Sequence, residues 1–465
     1  MDADLVVIGA GAAGIGAART ARSRSASVAL IESGQVGGDC TFTGCIPSKA
    51  LIEATALGRT FDQAMAAARQ AIETIATAES SSVLRAEGIT VINGHARFVD
   101  RLSLDVDGTR VRAQAIVIAT GASPTVPQIP GIETVEYLTN ENVFELTSMP
   151  PSLAVLGGGP IGVEMAQAFS RLGTKVTIVE KDRQLLPREE PLAARVLADA
   201  FAKLGITVLT GSRVEKVERA PAGRGIRLWL SGGGPVVADT LLVAVGRHPV
   251  TEGLGLDCPG VQMDGRGLVR VDNRLRTTAK GIFAAGDVAQ PLQFTHVAYQ
   301  SGRIAATNAL THVPRHRFTT DNVPWVTFTD PEVARVGLVE SAAVDHGGRV
   351  VYLPMSEVDR AVTAERIDGF VKIMVGPRPL LRNLAGGRIL GATIVAPRAG
   401  EMLAELVLAM TTRMFPARLA LTVHAYPTWS MAIQQTMAQL FGEFGGRRVR
   451  PAAAEEDEIG LNGTR

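Results

Sequence analysis

Two stretches of the chain share one succession of apolar and polar positions. Each starts with a short apolar run, continues through a glycine-rich turn into a stretch with helical spacing, and returns to a second apolar run that ends in glutamate. The first covers residues 5–32 and the second covers residues 153–180. Short apolar runs bounded by glycine turns are typical of buried parallel strands. The pattern therefore predicts two β-α-β units, and in both of them 23 residues separate the first glycine from the glutamate.

The rest of the chain divides into an α/β part and an α+β part. The α/β pattern continues to about residue 315, with Pro150-Pro151 just before the second unit and a hairpin-like insertion at 219–237. Strands followed by helices are typical of an α+β domain. Beyond residue 320, strands are predicted at 325–328, 370–375 and 389–395, and helices at 401–411 and 431–441. Residues 446–465 are charged and lack apolar periodicity, which predicts a disordered tail.

The glycine-rich turns have the G-x-G-x-x-G spacing of dinucleotide-binding loops. The first glycine permits a tight turn, the second lets the backbone approach a pyrophosphate, and the third lets helix and strand pack closely. The following helix presents free N–H groups and the positive end of its dipole to the phosphates. Two copies therefore imply two bound dinucleotides. The residues are Gly9, Gly11, Gly14 and Glu32 in the first copy and Gly157, Gly159, Gly162 and Glu180 in the second.

The overall composition excludes several classes of protein. The 465 residues suffice for about three domains, and a hydrophobic share of 46% with 20% charged residues excludes global disorder. The 47 Lys and Arg residues against 46 Asp and Glu leave no net field to attract nucleic acid or an acidic membrane. The sequence has no signal-peptide pattern and no apolar stretch long enough to span a bilayer. Three cysteines are too few for a disulfide scaffold, so we expect a cytoplasmic protein.

Two of the three cysteines stand five residues apart in the glycine-rich segment 37–49, GGDCTFTGCIPSK. In a reducing compartment such a pair is more often catalytic or metal-binding than structural. A regular α-helix would hold the Cα atoms of Cys40 and Cys45 roughly 8.6 Å apart, which exceeds the roughly 7 Å that a disulfide bridges. A bond between them therefore requires a break in the helix, which Gly44 permits. Such a bond should be reduced more readily than a structural disulfide.

Together these motifs resemble those of the class I pyridine nucleotide–disulfide oxidoreductases, the family of dihydrolipoamide dehydrogenase, glutathione reductase and mercuric reductase. The resemblance covers nearly the whole chain and includes ATG at 119–121, AVGR at 244–247, TTAKGIFAAGD at 277–287 and FTDPE at 328–332. It implies an α/β fold of two Rossmann-like dinucleotide-binding domains plus an α+β C-terminal dimerisation domain. The implied domains are 1–148 with 275–316 for FAD, 149–274 for NAD(P) and 317–445 for dimerisation.

The resemblance also implies an FAD site. Glu32 would hold the ribose of the adenosine, Asp287 would hold the ribitol, and the backbone near Ala96 and Gly121 would meet the flavin nucleotide. The full set implied for FAD is Gly9, Gly11, Gly14, Glu32, Lys49, Ala96, Thr120, Gly121, Gly286, Asp287 and Thr295.

The resemblance further assigns roles around the thiol pair. Cys45 would face the flavin ring, and Cys40 would be the outer thiol that meets substrate. Lys49 would lie beside N5 of the flavin, and Glu164 would pair with it from the second nucleotide domain. A buried ammonium is costly unless a carboxylate compensates its charge, which agrees with that pairing.

The second dinucleotide is expected to be NADH. The site implied for it comprises Gly157, Gly159, Gly162, Glu180 and Gly246. A 2′-phosphate beside the Glu180 carboxylate would meet like charge, at a cost of about 4 kcal/mol for unit charges about 4 Å apart at an effective dielectric of about 20. Lys181 and Arg183 follow closely, and swinging them toward the phosphate would offset this repulsion, so NADPH stays open as the alternative.

The C-terminal segment 424–431, HAYPTWSM, departs from the disulfide reductases of the family. Those enzymes carry His-Pro-Thr there with a Glu four residues after the Pro, and the His, contributed by the partner subunit, moves the thiol proton. Tyr426 occupies the His position and Met431 the Glu position. A phenol accepts a proton less readily than an imidazole. The substitution therefore argues against efficient dithiol–disulfide exchange, with His424 as the candidate replacement.

With a tyrosine at this position, the sequence resembles those of mercuric reductases. The residues FTH at 294–296 and Asp359-Arg360 add to this resemblance. Paired thiolates suit soft cations such as Hg(II) or copper. Mercuric reductases also carry a C-terminal cysteine pair, whereas the only cysteine after Cys45 in this sequence is Cys258.

We therefore expect a homodimeric FAD enzyme that passes electrons from NAD(P)H through a Cys40–Cys45 disulfide to a disulfide or a soft metal ion. We expect no structural metal and no nucleic-acid or membrane partner. The alternatives are a dihydrolipoamide dehydrogenase, an NAD(P)H:quinone diaphorase and a flavin-bound thiol redox sensor.

Overall fold

The computed structural model describes residues 2–220, 225–311, 313 and 315–454. The chain forms two compact units. Unit 1 contains Met1–Gln128, Glu136–Pro150 and Leu241–Thr319, and unit 2 contains Ile129–Val135, Pro151–Thr240 and Thr320–Arg465. This division does not test the three domains expected from the sequence, which stay a prediction.

The described residues contain thirteen α-helices. They are α1 Ala12–Arg22, α2 Gly38–Phe42, α3 Cys45–Ala56, α4 Phe61–Ala78, α5 Ser81–Ala86, α6 Pro160–Arg171, α7 Pro191–Lys203, α8 Thr295–Ala309, α9 Glu340–Ala343, α10 Asp359–Thr363, α11 Ala399–Thr411, α12 Pro416–Leu421 and α13 Met431–Ala438. Within the described part of the chain, none of these helices is long and apolar enough to cross a membrane.

The described residues also contain twenty-two strands. They are β1 Asp2–Ile8, β2 Val28–Glu32, β3 Thr90–Asn93, β4 Ala96–Asp100, β5 Ser103–Val106, β6 Thr109–Ile118, β7 Ala122–Pro124, β8 Ser152–Leu156, β9 Lys175–Val179, β10 Thr207–Leu209, β11 Val214–Arg219, β12 Ile226–Leu230, β13 Val236–Ala238, β14 Thr240–Val243, β15 Arg247–Pro249, β16 Ile282–Ala284, β17 Pro324–Thr327, β18 Glu332–Gly337, β19 Arg349–Pro354, β20 Phe370–Gly376, β21 Arg388–Ala396 and β22 Arg450–Pro451.

Unit 1 is built on a seven-stranded sheet with the order β3-β2-β1-β6-β5-β4, in which β16 also pairs with β6. Strand β1 runs parallel to both β2 and β6, so the first predicted β-α-β unit is confirmed. Leu5 and Val7 are buried in one apolar cluster, whereas Val6 and Ile8 are buried in another. Burial on both faces explains why this strand is a continuous apolar run rather than an alternating one.

Helices α1 and α8 pack closely because glycine lies where they touch. A Cβ added to Gly302 would lie 2.0 Å from the carbonyl oxygen of Ala13, and one on Gly16 would lie 2.8 Å from that of Tyr299. Neither helix could approach the other this closely with a side chain at those positions. The contact fixes α8, and therefore its first residue Thr295, against the helix of the first dinucleotide motif.

Unit 2 contains the second β-α-β unit. Strand β9 runs parallel to β8 and to β10, and α6 follows β8, as the sequence pattern predicts. Strands β11, β12 and β13 form a separate three-stranded antiparallel sheet at the predicted hairpin-like insertion. Residues 221–224 of that insertion lie outside the described residues.

The α+β part of unit 2 has a six-stranded antiparallel sheet with the order β17-β18-β21-β20-β19-β22. The three predicted strands correspond to β17, β20 and β21, and the two predicted helices to α11 and α13. Met402, Leu406 and Ile433 from these helices join strand residues in one buried apolar cluster. Helix α13 ends at Ala438, three residues before the predicted end at residue 441.

The start of the predicted disordered tail is ordered, which corrects the expectation for residues 446–454. Strand β22 pairs with β19, and Arg450 Nη2 donates to Glu340 Oε2 at 2.9 Å. Lys372 is 0% exposed, with Nζ 3.2 Å from Glu190 Oε2 and 3.0 Å from Glu340 Oε2. Buried charges require compensation by opposite charges. Arg450 supplies part of it, and the charged segment that carries Arg450 is therefore ordered. Residues 455–465 lie outside the described residues.

Candidate active site

The thiol segment is a helix broken between the two cysteines. Cys40 lies in α2, and Cys45 is the first residue of α3. A Cβ on Gly44 would lie 2.8 Å from the carbonyl oxygen of Asp39 and 3.2 Å from Cα of Cys40. The break predicted at Gly44 is therefore present, and glycine is required there because the backbone folds back onto the outer cysteine.

The two thiols interact with each other and with Thr295. Cys45 Sγ lies 3.4 Å from Thr295 Oγ1. The hydrogen bond with Cys45, followed by burial, raises the pKa of the Cys40 thiol well above its usual range, while a hydrogen bond with the Thr295 hydroxyl opposes the rise. Once one proton leaves the pair, the second is therefore held tightly. Thr295, assigned to FAD from the sequence, contacts the sulfur pair.

The first glycine loop has the shape that a dinucleotide requires. Added Cβ atoms on Gly9 and Gly14 would lie 2.3 and 1.8 Å from backbone oxygens, so these glycines serve the tight turn and the close packing. A Cβ on Gly11 would meet nothing nearer than 3.8 Å, which leaves space above the loop for a pyrophosphate. Glu32 Oε2 accepts from the N–H of Ala10 at 2.6 Å, so the carboxylate that the resemblance assigns to the ribose lies against the loop. The residues present fit the adenosine diphosphate half of FAD.

A charged cluster lies beside the thiol segment in unit 1. The Arg247 guanidinium donates to the Asp39 carboxylate and to the carbonyl oxygen of Ala122, and its Nε lies 4.0 Å from Asp287 Oδ2. Burial raises the pKa of Asp287 to about 6, and Arg247 counteracts this effect. The cluster connects the residue before Cys40 to the carboxylate that the resemblance assigns to the ribitol.

The other residues implied for FAD lie in the same unit. Gly286 has a φ of 76°, and a Cβ on it would lie 2.9 Å from Cβ of Ala13 in α1. Ala96 begins β4 and is buried, whereas the Thr120 hydroxyl donates to the carbonyl oxygen of Val250 at 2.6 Å. Gly121 has a φ of 75°, and no atom lies within 4 Å of a Cβ built on it. Open space at Gly121 agrees with the close backbone approach expected there.

The second glycine loop, in unit 2, repeats the geometry of the first. Glu180 is 6% exposed, and its carboxylate accepts from the N–H of Gly158 at 2.6 Å and of Asp182 at 2.8 Å. A Cβ on Gly162 would lie 2.0 Å from the Gly157 carbonyl oxygen, while one on Gly159 would meet nothing within 4 Å. Lys181 and Arg183 are solvent-exposed. Gly246 lies in unit 1 with a φ of 134°, and its assignment to NAD stays a prediction.

Lys49 belongs to unit 1 and Glu164 to unit 2. Lys49 lies one helical turn after Cys45 in α3 and is half-buried. Glu164 lies in α6, is buried, and accepts from the N–H of Phe328 through Oε1 at 2.9 Å. Their pairing stays a prediction.

The C-terminal segment has its own hydrogen-bonding pattern. The Tyr426 side chain is exposed, and its hydrogen bond to the Asp359 carboxylate raises the pKa of the phenol. His424 Nε2 lies 3.0 Å from Glu405 Oε1, and Nδ1 lies 2.9 Å from the carbonyl oxygen of Thr422. Both partners are acceptor oxygens, so both ring nitrogens are engaged with other groups of this chain. The role of His424 as the replacement proton acceptor stays a prediction.

A family model described as pyridine nucleotide-disulphide oxidoreductase matches residues 3–302. The model for the dimerisation domain of the same family matches residues 323–437. The chain belongs to the pyridine nucleotide–disulphide oxidoreductases. The family, the fold class of Rossmann-type domains with a dimerisation domain, and the enzyme class of FAD-dependent oxidoreductases predicted from the sequence are thereby confirmed.

Similar proteins within this family include mercuric reductases and dihydrolipoyl dehydrogenases. The chain is 37% identical to a mercuric reductase of Streptomyces lividans, over 93% of this chain and 94% of that protein. It is 34% identical to a dihydrolipoyl dehydrogenase of Thermus scotoductus, over 94% of this chain and 97% of that protein. A solved structure of the Cu(II) complex of the HOCl-induced flavoprotein disulfide reductase RclA from Escherichia coli has a TM-score of 0.85 and 31% identity, covering 93% of this chain and 99% of that one.

The sequence does not indicate several residues of this oxidoreductase site. Asp39 and Arg247 lie inside the GGDC and AVGR motifs, but 208 residues separate them and no spacing pattern indicates that they pair. Glu405 fixes His424 from α11, and Asp359 fixes Tyr426 from α10. For Asp39 and Arg247, the only signal in the sequence is that each is a charged residue within a motif.

Proposed function

We propose that the protein is a homodimeric NADH-dependent flavoprotein that opens and closes a Cys40–Cys45 disulfide and passes the electron pair to a soft metal cation. The observation that carries the proposal is the helix break at Gly44, which brings the two thiols into contact beside Thr295. Bound FAD would relay the electron pair from NADH to the sulfurs. The dimerisation-domain match supports the homodimer.

The redox step balances without an external proton acceptor. NADH carries a hydride, which is two electrons and a proton, so NADH and the disulfide give NAD⁺, one thiol and one thiolate. The raised pKa of the Cys40 thiol supports this monoprotonated state. One Hg(II) ion, or two Cu(II) ions that each take one electron, then accept the electron pair, the S–S bond forms again, and the remaining thiol proton goes to solvent.

A metal cation suits this site better than a disulfide acceptor. A reduced disulfide leaves as thiols and needs a proton delivered to it, which is the task of the histidine in the disulfide reductases of the family. Here the hydrogen bond to Asp359 raises the pKa of the Tyr426 phenol, and both His424 nitrogens contact fixed acceptor oxygens. A metal cation requires no proton, and paired thiolates bind soft cations well. The similarity to mercuric reductases supports the same assignment.

The proposed preference for NADH depends on Glu180. Its carboxylate is fixed by two backbone N–H groups at the end of β9, where it can accept from a ribose 2′-hydroxyl. A 2′-phosphate would meet this fixed negative charge, because the carboxylate cannot turn away without leaving those N–H groups unpaired. The exposed Lys181 and Arg183 lack a comparable anchor.

The test is an acceptor panel with the FAD-loaded protein. NADH oxidation is measured with Hg(II) buffered by a small thiol, Cu(II), lipoamide and a quinone, for wild type and the Cys40→Ser, Cys45→Ser and Cys258→Ser variants. We expect the highest turnover with a metal, a loss of about a hundredfold or more in the first two variants, and no change in Cys258→Ser, because Cys258 is an exposed cysteine in a different segment.

The other outcomes contradict the proposal in distinct ways. Preference for lipoamide would assign a dihydrolipoamide dehydrogenase. Quinone turnover that persists in Cys45→Ser would assign a diaphorase, and the absence of turnover with every acceptor would assign a redox sensor.

A further inference from the structure

Residues 377–387, which connect β20 to β21 in unit 2, form a loop with three leucines on its surface, the leucine loop. Leu380 is 100% exposed, Leu384 is 62% exposed and Leu381 is 47% exposed. Single exposed apolar residues are ordinary on a protein surface, whereas several that are grouped together mark a contact surface. The leucine loop is therefore a candidate for such a contact.

The backbone of the leucine loop has a strained shape. Leu380, Arg382 and Ala385 have φ values of 63°, 46° and 51°. These values lie in the left-handed region, which residues with a Cβ rarely adopt. Strain of this kind persists only where the surrounding structure enforces it, and it is concentrated at functional surfaces. The strain therefore indicates that the exposed position of the leucines is a built feature of the fold.

The base of the leucine loop is fixed to the segment between α11 and α12. Arg378 Nε donates to the carbonyl oxygen of Gly387 at 2.7 Å, and its Nη2 donates to that of Arg413 at 2.7 Å. A Cβ on Gly386 would lie 2.8 Å from Cβ of Pro416, the first residue of α12. The leucines therefore project from an anchored base, and α12 lies beside them.

The surface around the leucines is basic. Residues 377–400 contain four arginines and no Asp or Glu, and residues 406–442 contain two arginines and no Asp or Glu. Among these arginines, Arg382, Arg413 and Arg418 are solvent-exposed. The balanced charge of the whole chain, from which no membrane partner is expected, conceals this local excess of positive charge.

We propose that the leucine loop docks on the surface of a membrane that contains anionic lipids. Apolar side chains that enter the boundary of the acyl chains, together with basic residues that attract anionic headgroups, are what peripheral proteins use to bind such a surface. The guanidinium of arginine also hydrogen-bonds a phosphate in two places. A fully exposed leucine suits the soft surface of a membrane, whereas a protein partner would need a matching pocket.

A second copy of the chain is a less suitable occupant of this surface. In a two-fold symmetric contact the same patch of both copies meets, so the arginines of one loop would face those of the other. Like charges oppose such a contact. The proposed docking is also separate from the proposed electron path, because no residue of the leucine loop belongs to the candidate active site.

The test measures binding of the FAD-loaded protein to lipid vesicles by flotation. The vesicles contain phosphatidylcholine alone or an equimolar mixture with phosphatidylglycerol, and each is used at low and at physiological salt. We expect binding to the mixed vesicles and at least about tenfold weaker binding to phosphatidylcholine alone. Binding to the mixed vesicles should weaken as salt rises, because salt screens the attraction between arginines and headgroups.

Two variants separate the apolar from the electrostatic contribution. The double variant Leu380→Ser, Leu384→Ser should weaken binding to the mixed vesicles by about a hundredfold, and Arg382→Gln should weaken it by about fivefold. The matched controls in unit 1 are Leu57→Ser, at a leucine that is 64% exposed, and Arg266→Gln, at a side chain that is 70% exposed. Both controls should stay within about twofold of wild type.

The absence of binding to the mixed vesicles would overturn the inference, as would equal binding by wild type and the double leucine variant. Sedimentation equilibrium of the same proteins examines the other occupant. If the double variant dissociates a dimer that wild type forms, the leucines lie between copies and the membrane contact is wrong. NADH oxidation with soluble acceptors is measured in parallel and should be unchanged in every variant, so a failure of docking is distinguishable from a failure of the proposed function.

Discussion

Glu405 holds the imidazole of His424 through both carboxylate oxygens, which lie 3.0 and 3.1 Å from Nε2. The opposite nitrogen, Nδ1, faces the carbonyl oxygen of Thr422 at 2.9 Å. Both ring nitrogens are therefore engaged with acceptor oxygens of this chain, which favours a structural role for the histidine nearest to the altered C-terminal motif.

We predict that His424→Gln lowers stability but leaves the chemistry intact. The variant loses a charge-assisted hydrogen bond, so its free energy of unfolding should fall by about 1–3 kcal/mol. Turnover with each acceptor should stay within about twofold, with an unchanged pH profile. Urea unfolding and steady-state assays measure both. Loss of one limb of the pH profile would show instead that His424 moves a proton.

Glu180 should determine the choice of nicotinamide dinucleotide. In Glu180→Gln the repulsion of a 2′-phosphate disappears, so we predict that the ratio of kcat/KM for NADPH to that for NADH rises by about tenfold or more. Glu32→Gln is the matched control, because Glu32 makes the same two kinds of backbone contact in the first loop. It should weaken FAD binding and leave the ratio unchanged. An equal ratio in wild type and Glu180→Gln would contradict the proposed preference.

The buried network around Lys372 should contribute strongly to stability. Lys372→Met leaves the carboxylates of Glu190 and Glu340 short of one positive charge. We predict that the free energy of unfolding falls by about 3–5 kcal/mol. The control is Lys203→Met, which breaks an exposed pair with Asp368 and should cost less than about 1 kcal/mol. If both variants lost the same free energy of unfolding, Lys372 would not be needed to compensate the buried carboxylates.

Asp287 should give the cofactor-free protein a measurable pH dependence of stability. Burial raises the pKa of its carboxyl from 3.8 to about 6, so the folded chain binds this proton more tightly than the unfolded chain does. The free energy of unfolding should therefore fall by about 2 kcal/mol as pH rises from about 4.5 to about 7.5. Asp287→Asn should lack this component in urea unfolding at pH 4.5 and 7.5. Parallel pH curves for the two proteins would exclude the raised pKa.

The sequence predicts those parts of the fold whose signals are local. The strand of Leu5 and Val7 is recognisable because burial on both faces leaves a continuous apolar run, and Gly44 marks the helix break by its position between two cysteines. Pairings between distant residues leave no such mark. Arg450 orders the start of the expected tail because it meets Glu340, 110 residues away.

The same limit applies to the site. Thr295 is identifiable as a motif residue at the start of a helix, but its contact with Cys45 spans 250 residues and depends on how α8 packs against α1. The sequence makes His424 a candidate base, whereas in the structure Glu405 lies opposite its ring. Motifs therefore indicate candidate site residues, and the tertiary contacts constrain what each can do.

Anaerobic titration of the FAD-loaded protein with NADH tests the electron path through the sulfurs most directly. The proposal predicts that full reduction consumes two equivalents of NADH per FAD, and that Cys40 and Cys45 become open to alkylation after the first. Complete reduction by one equivalent, with no new reactive thiol, would show that the electron pair stops at the flavin.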